Sequence, residues 1–475
     1  MVISMKCKFI RLIITAMICI LSVGYLLSHY DGKKYTIENV EDYVGSICKI
    51  GGVPGMSVVM LDNGQEYYIN VGYADKNDKI EMTSEIRCEL GSTTKAFTAL
   101  DILILEQDGK LNRTDAVKDY LPWFRPTYDG NEANIMIEHL LCHTSGIPVW
   151  TIANLPEGTI QDVNLLENTV KGIQSVPLDN PPGTVHCYAT INYDVLALII
   201  EKISGMSYEA FTQKNVLEPL GMTDSYFRID NAKSEQTAQG YRYAFMRAAN
   251  YDAPAFYGNT AAGYLVSNTE DLSIWMKAQM GIFDEGITTE KVEHAINISH
   301  SYPVENGQHY FAGWNLYDTY FSHGGNNPNF SSNVFVGRTD KKAVFVLSNI
   351  CGSASAKAAD GIYRMMHGET VKPGLWVDGN SLLDFICTIV CLVEGCIMIL
   401  LFEKKKYAGM IAFFCLLMAV IVLLLPYFFH YNYFALSVWV SPCLLIAIVG
   451  IEICLAEYII LYIYSRKNSE KKGHI

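Results

Sequence analysis

An α+β domain joined to transmembrane helices is what this sequence predicts, and three patterns carry the expectation. Val58-Val59-Met60 is interrupted by Asp62-Asn63-Gly64 and resumed by Tyr67-Tyr68-Ile69, an apolar run broken by the dipeptide that a two-residue hairpin turn favours. Val334-Phe335-Val336 and Val344-Phe345-Val346-Leu347 read as further strands. Residues 96–108 hold Ala, Leu, Ile and Glu in a helix-forming run, with Gly109 suited to ending it. Residues 12–27, 382–402, 407–429 and 434–463 are apolar over lengths that enter or span a bilayer. The roughly 350 residues between the first and second of these runs suffice for one large core or two packed parts.

The helix at 96–108 is preceded by the most informative short motif. Ser92-Thr93-Thr94-Lys95 follows Gly91, and three residues of separation bring a hydroxyl and an amine onto neighbouring turns. A serine hydroxyl is a poor nucleophile until a base takes its proton, and a desolvated lysine can be that base. A helix N-terminus also offers backbone N–H groups to a developing oxyanion. Alone, the spacing is common in a chain of this length, and its plain reading is a helix cap with a solvated lysine.

Further motifs follow in order: Leu140-Leu141-Cys142-His143-Thr144-Ser145-Gly146; Pro181-Pro182-Gly183-Thr184 leading to Tyr188; Ala262-Gly263-Tyr264-Leu265-Val266-Ser267 before Asp271-Leu272 and Trp275; and His323-Gly324-Gly325. With Ser92 and Lys95, this series resembles the serine beta-lactamase-related and penicillin-binding-protein superfamily, especially its class C beta-lactamase and D-amino-acid peptidase branch, over residues 45–350. The resemblance implies a beta-lactamase/transpeptidase-like antiparallel sheet, in which the early hairpin joins the strands between 334 and 349, and a helical subdomain from the middle of the chain. It implies Ser92 as nucleophile, Lys95 and Tyr188 as its proton-transfer partners, and an oxyanion hole made of the backbone N–H groups of Ser92 and Asn326.

Residue chemistry qualifies these roles. His143 belongs to a hydrogen-bonded turn and is left out of the proton-transfer machinery. Pro181, Pro182 and Gly183 shape a loop that positions Tyr188, whose plain reading is a packed aromatic. The family places an asparagine where this chain has Thr190, losing an amide that donates and accepts through separate atoms; Asn192 is a candidate substitute. Gly324 and Gly325 let backbone pass close to a ligand. His323 stands where many penicillin-binding proteins have a lysine, and is expected to bind a substrate carboxylate or tune Tyr188, its plain role being a structural hydrogen bond. The auxiliary residues are thus Thr190, His323, Gly325 and Asn326. The histidines and cysteines form no zinc-like spacing, so neither metal nor cofactor is expected.

Lys6, Lys8 and Arg11 precede the first apolar run, which reads as a signal anchor or a signal peptide, the lack of a small-x-small site favouring retention. Glu403-Lys404-Lys405-Lys406 separates the next two runs, and Arg466-Lys467 and Lys471-Lys472 follow the last. Four crossings place all these basic clusters in the cytoplasm. The expected division is residues 1–29 signal anchor or signal peptide, 30–365 extracytoplasmic hydrolase domain, 366–381 linker, 382–465 three transmembrane helices and 466–475 cytoplasmic tail. Asp384, Glu394, Glu452 and Glu457 fall in the apolar region. Glu394 and Glu452 are expected to face the bundle interior, a cavity or another subunit, with Asp384 and Glu457 near the interfaces. A formal charge of −13 without a basic aromatic patch argues against a nucleic-acid partner. Of thirteen cysteines, Cys48, Cys88, Cys142, Cys187 and Cys351 fall in the extracytoplasmic domain, expected as thiols or at most one or two disulfides.

The resulting expectation is a multi-pass cell-membrane serine hydrolase cleaving an amide in a small peptide, lipopeptide or cell-wall-related substrate, with membrane lipid as its other partner. The spans look like those of prodrug-activating peptidases that remove an acylated D-amino-acid cap. An esterase, a beta-lactamase, or a non-catalytic receptor for peptidoglycan or lipopeptide are the other readings.

Overall fold

The computed structural model describes residues 32–472 apart from 156–161, 163, 228–235, 255, 285–287, 302–308, 375 and most of 404–431. The apolar run 12–27 lies outside these residues, as does most of the expected span 407–429.

Helix α1 (Ile37–Gly51) starts where Thr36 accepts a hydrogen bond from the N–H of Asn39, and ends at Gly52 with φ 63°. Its Val40, Tyr43, Val44 and Ile47 are fully buried, one face at helical spacing. Strands β1 (Gly55–Asp62) and β2 (Gln65–Asp75) form the expected hairpin. Its loop is Asn63-Gly64, both at positive φ (52° and 87°), the geometry that matches the twist of the flanking strands. β3 is Ile80–Glu81. Late in the chain come β6 (His309–Phe311), β7 (Trp314–Leu316), β8 (Tyr320–Asn327), β9 (Phe330–Gly337) and β10 (Lys342–Ser348). The sheet order is β6-β7-β8-β9-β10-β1-β2-β3, with antiparallel pairs throughout. Val58 lies opposite Val346, so the first hairpin joins the late strands as expected.

β1 and β10 are covered on both faces, which is why both read as continuous apolar runs. Met56, Val58, Met60, Val344 and Val346 point into one core with α1 and α5 (Ala354–Met366). Val59, Leu61, Phe345 and Leu347 point the other way, into a larger core with the helical subdomain. The centre of that subdomain is α2 (Lys95–Gln107), in which all residues from Lys95 to Leu105 are buried. Beside it lies α3 (Ile191–Ser204).

Residues 241–250 form a second hairpin, β4 (Tyr241–Ala244) and β5 (Arg247–Asn250), with Phe245 and Met246 exposed at its tip at φ 51° and 61°. This hairpin carries the C-terminal helices. α6 (Gly379–Glu403) and α8 (Pro442–Lys472) pack against each other, and both contain windows long and apolar enough to cross a membrane. The expected single span at 434–463 is instead two helices. α7 (Tyr433–Trp439) ends at Val440 in extended conformation, and α8 begins at Pro442. Proline has no N–H to continue a helix and disfavours helical backbone at the residue before it, but suits the first helical position.

Asp384 on α6 is fully buried. Its carboxylate accepts from the N–H of Phe245 (3.1 Å), the N–H of Met246 (2.6 Å) and Ser441 Oγ (2.5 Å). Arg242 donates to the carbonyl of Ser437 at 3.0 Å and lies over the Tyr251 ring. Glu394 packs against Gly450 of α8, as expected of an inward carboxylate. Glu452 lies on the exposed side of α8 among the described residues, which leaves another subunit as the one of the three expected settings it could meet.

Candidate active site

Ser92 sits in a single 3-10 turn, Gly91–Thr94, that runs directly into α2. Gly91 has φ 58°, and a Cβ there would lie 2.5 Å from the backbone N of Asn326. On the facing strand β8, a Cβ at Gly325 would overlap the carbonyl of Leu90 and lie 2.9 Å from Ser92 N. These two glycines let turn and strand touch, and so bring the backbone nitrogens of Ser92 and Asn326 to one place. Thr93 and Ser332 fix the turn by donating to the Leu90 carbonyl at 2.9 and 2.5 Å.

Lys95 is fully buried at the start of α2. Its Nζ lies 3.1 Å from Ser92 Oγ and donates to the carbonyl of Ala262 at 2.6 Å. Side chains of α2 stitch the whole Ala261–Leu265 segment in place: Thr98 Oγ1 donates to the Ala261 carbonyl, and Thr94 Oγ1 accepts from Leu265 N–H. Burial lowers Lys95 to about 7, against an upward pull from the Asp194 carboxylate. An amine in this state can take a proton from the hydroxyl beside it.

Tyr188 reaches the same point from the loop before α3. The Lys95 Nζ lies 5.2 Å from its ring centre, and its hydroxyl is buried facing Ser92 without a geometrically complete hydrogen bond. Burial raises Tyr188 above the usual phenol range, with Ser92 lowering it slightly, so it holds its proton near neutrality. His143 grips this loop. Its carbonyl accepts from Cys187 N–H (2.8 Å), its Nδ1 accepts from Ala189 N–H (3.3 Å), and its ring lies 4.1 Å from the Tyr188 ring. Thr144 and Gly146 add carbonyl acceptors for Gly183 and Asp179. The turn expected at His143 is therefore the mould in which Tyr188 is cast.

His323 lies in β8, buried, within an aromatic cluster with Tyr188 and Tyr310. Its Nδ1 is 2.7 Å from the Gly324 carbonyl, which can only accept, so Nδ1 carries the proton and Nε2 accepts from Tyr310 Oη at 3.1 Å. Burial first, then the charge of Lys95, lower it to about 3. A neutral ring with both nitrogens engaged offers no positive charge to a carboxylate. Thr190 stands at the N-cap of α3 without a side-chain capping bond. Asn192 does not replace the missing asparagine: its amide accepts from Ser145 Oγ and meets His143 Nδ1, and it is the Ala262 carbonyl that orients Lys95.

Sequence reasoning missed Tyr310, the donor to His323, and Asp194, a fully buried acid on α3 that accepts from Asn259 at 2.6 Å and whose second oxygen has no partner among the described residues. Asp194 had a visible signal, an acid within the apolar run 191–200; Tyr310 had none. Cys48, Cys88, Cys142, Cys187 and Cys351 are all free thiols. Among the described residues no three His, Cys, Asp or Glu side chains gather as a metal site.

The beta-lactamase family model matches residues 38–365. The flp protein of Staphylococcus aureus strain COL is 31% identical over 317 residues, 66% of this chain and 63% of its own, so the chain spans less than two thirds of that relative. Bacillus subtilis PbpX, named as a candidate penicillin-binding protein, is 28% identical over 70% of this chain and 79% of its own. The structure of the octameric penicillin-binding protein homologue from Pyrococcus abyssi aligns with TM-score 0.58 and 27% identity, over 70% of this chain and 77% of that one. The eight-stranded antiparallel sheet, the helical layer holding the Ser92 turn against it, and the extent of these matches place the chain in the beta-lactamase and penicillin-binding-protein superfamily of hydrolases.

Proposed function

We propose that the protein is a membrane-anchored serine hydrolase that cleaves an amide through an acyl-enzyme, with Ser92, Lys95 and Tyr188 as its catalytic residues. The observation that carries this reading is a fully buried Lys95 amine 3.1 Å from the Ser92 hydroxyl. Lys95 takes the Ser92 proton as Oγ bonds to the substrate carbonyl carbon, and the carbonyl electron pair moves onto its oxygen. The N–H groups of Ser92 and Asn326 receive that oxyanion. Collapse reforms the carbonyl and breaks the C–N bond; Tyr188 gives its proton to the departing nitrogen and recovers one from Lys95. Water then attacks the ester, its proton returns through the same groups to Ser92, and a carboxylic acid leaves. Gly325 holds the oxyanion geometry, and His323 and Tyr310 hold the ring of Tyr188.

The superfamily's relatives include proteins named for penicillin binding, so the substrate class favoured is a peptide containing a D-amino acid or related to the cell wall. The apolar helices after the domain favour an enzyme held at the membrane with its catalytic part outside the cytoplasm. They equally suit removal of an N-acylated D-residue from a peptide prodrug.

A small fluorophosphonate probe should add covalently to Ser92, as read by intact mass and peptide mapping, and not to folded Ser92→Ala. Matched D- and L-peptides, acylated or free at the N-terminus, should then show cleavage next to a D-residue. Turnover surviving in folded Ser92→Ala rejects the mechanism. Binding without turnover by the wild-type protein identifies a receptor.

A further inference from the structure

The hairpin of β4 and β5 turns on residues that such a turn ordinarily excludes. Ala244 pairs with Arg247, so the loop is Phe245-Met246 alone, with φ 51° and 61°. The first hairpin of this chain meets the same backbone requirement with Asn63-Gly64, the pair that suits it best. A phenylalanine and a methionine bring a Cβ close to the backbone twice over, and their side chains gain no burial for it: Phe245 is 48% exposed and Met246 56%. Asp384 holds the turn by accepting from both N–H groups, but bonds to the backbone call for no apolar side chain. In water, both the strained loop and its exposed apolar area oppose folding.

The surroundings of the tip supply a reason for it. Asp384 stands five residues after Gly379, where α6 begins, hence about 8 Å along the helix axis. Its carboxylate therefore pins the tip beside the first two turns of a helix long and apolar enough to cross a bilayer. On those turns Leu382, Leu383, Phe385 and Ile386 are exposed, so the tip extends an apolar band that α6 already presents. Arg247, next in sequence and also exposed, adds a cation suited to lipid phosphate. This position along the helix matches the boundary between headgroups and acyl chains, into which amphipathic segments sink by about 5–10 Å.

We propose that Phe245 and Met246 insert into the lipid leaflet on the catalytic side, so that the hydrolase domain grips the bilayer through its own hairpin as well as through α6 and α8. The proposal rests on the membrane-anchored reading above and adds to it a lateral point of contact. A body held to the bilayer at a helix and at a hairpin beside it keeps one tilt toward the lipid surface.

The test uses the full chain in nanodiscs of phosphatidylcholine and phosphatidylglycerol, with the photoreactive residue p-benzoylphenylalanine in place of Phe245 or, as reference, of Ile389, which is exposed farther along α6. After irradiation, peptide mass spectrometry should find phospholipid adducts at both positions. Hydroxyl-radical footprinting of the unmodified chain in the same nanodiscs guards against disturbance by the probe. Met246, an exposed thioether open to oxidation, should react as slowly as the buried Met56 and Met60. Lipid adducts at 389 with none at 245, or rapid oxidation of Met246, overturn the proposal and leave the membrane reading intact. A cross-link from 245 to another part of the chain or to a second copy also overturns it, since protein then covers the tip. Loss of lipid adducts at both positions defeats the membrane reading and this proposal with it.

Discussion

Acylation should titrate with Lys95. At pH 7 a lysine of ordinary pKa 10.5 is neutral in about one molecule in three thousand, whereas one lowered to about 7 is neutral in half of them. Burial thus raises the fraction able to accept the Ser92 proton by about three orders of magnitude. The neutral form is the active one, so activity is lost as pH falls through 7, by roughly tenfold per unit below about 6, and levels off above about 8. The nearby histidines and tyrosine stay silent in this window, because His323 lies near 3, His143 is held well below its usual range and Tyr188 above its own, whereas Asp194, raised well above the usual carboxylate range by burial, titrates together with Lys95. Between pH 5 and pH 9 the single-turnover rate should therefore climb by about a hundredfold as the Lys95–Asp194 pair gives up its proton from Lys95. Stopped-flow acylation by an activated ester, whose leaving group needs no proton, reads this step directly. Asp194→Asn removes the upward pull on Lys95 and should move the midpoint to lower pH. A rate independent of pH from 5 to 9, or a midpoint that rises in Asp194→Asn, would refute the assignment of Lys95 as base.

Lys95→Ala and Tyr188→Phe should each slow acylation by about a hundredfold or more, the scale of a lost proton-transfer group, with thermal unfolding reporting that both still fold. His143→Ala should instead cost about 3 kcal/mol of stability in chemical denaturation, because a fully buried ring and the acceptor for Ala189 N–H are removed together. Gly325→Ala should slow Ser92 labelling by about a hundredfold, since the added methyl has to displace the Leu90–Ser92 turn and so the oxyanion nitrogens; labelling at the wild-type rate would show that the contact is looser than the geometry says. Reporter fusions after residue 380 should report outside the cytoplasm and those within Lys404–Lys406 inside; the reverse pattern contradicts the four-crossing arrangement.

What the sequence made legible was local. The Asn63-Gly64 turn announces its hairpin because both residues tolerate the left-handed backbone a two-residue loop needs. The Ser92 to Lys95 spacing fixes a relation within a single turn. The polar contacts that complete the site join distant segments, as when Lys95 meets the Ala262 carbonyl or Asn327 meets Glu89, and no periodicity encodes them. Tyr310 could not be singled out because its hydroxyl matters only once β6 and β8 lie in one sheet, with β7 between them. The break between α7 and α8 was a different failure: Pro442 was in plain view, but an apolar window averages over the one residue that interrupts it.

The carboxylate of Asp384 has a consequence for how this protein can be handled and for where it works. A fragment ending before α6 leaves the Phe245 and Met246 N–H groups without their acceptor and strips cover from Tyr251 and the side of β4. Such a soluble fragment should self-associate through that scar even if its nucleophile remains intact. In the membrane arrangement proposed above, the same bonds would tie the catalytic body to the helices and so set the height of the nucleophile above the lipid headgroups. Under that arrangement, substrates confined to the bilayer plane would meet it by lateral diffusion, and their turnover would depend on how many there are per unit area of membrane rather than per unit volume of solution.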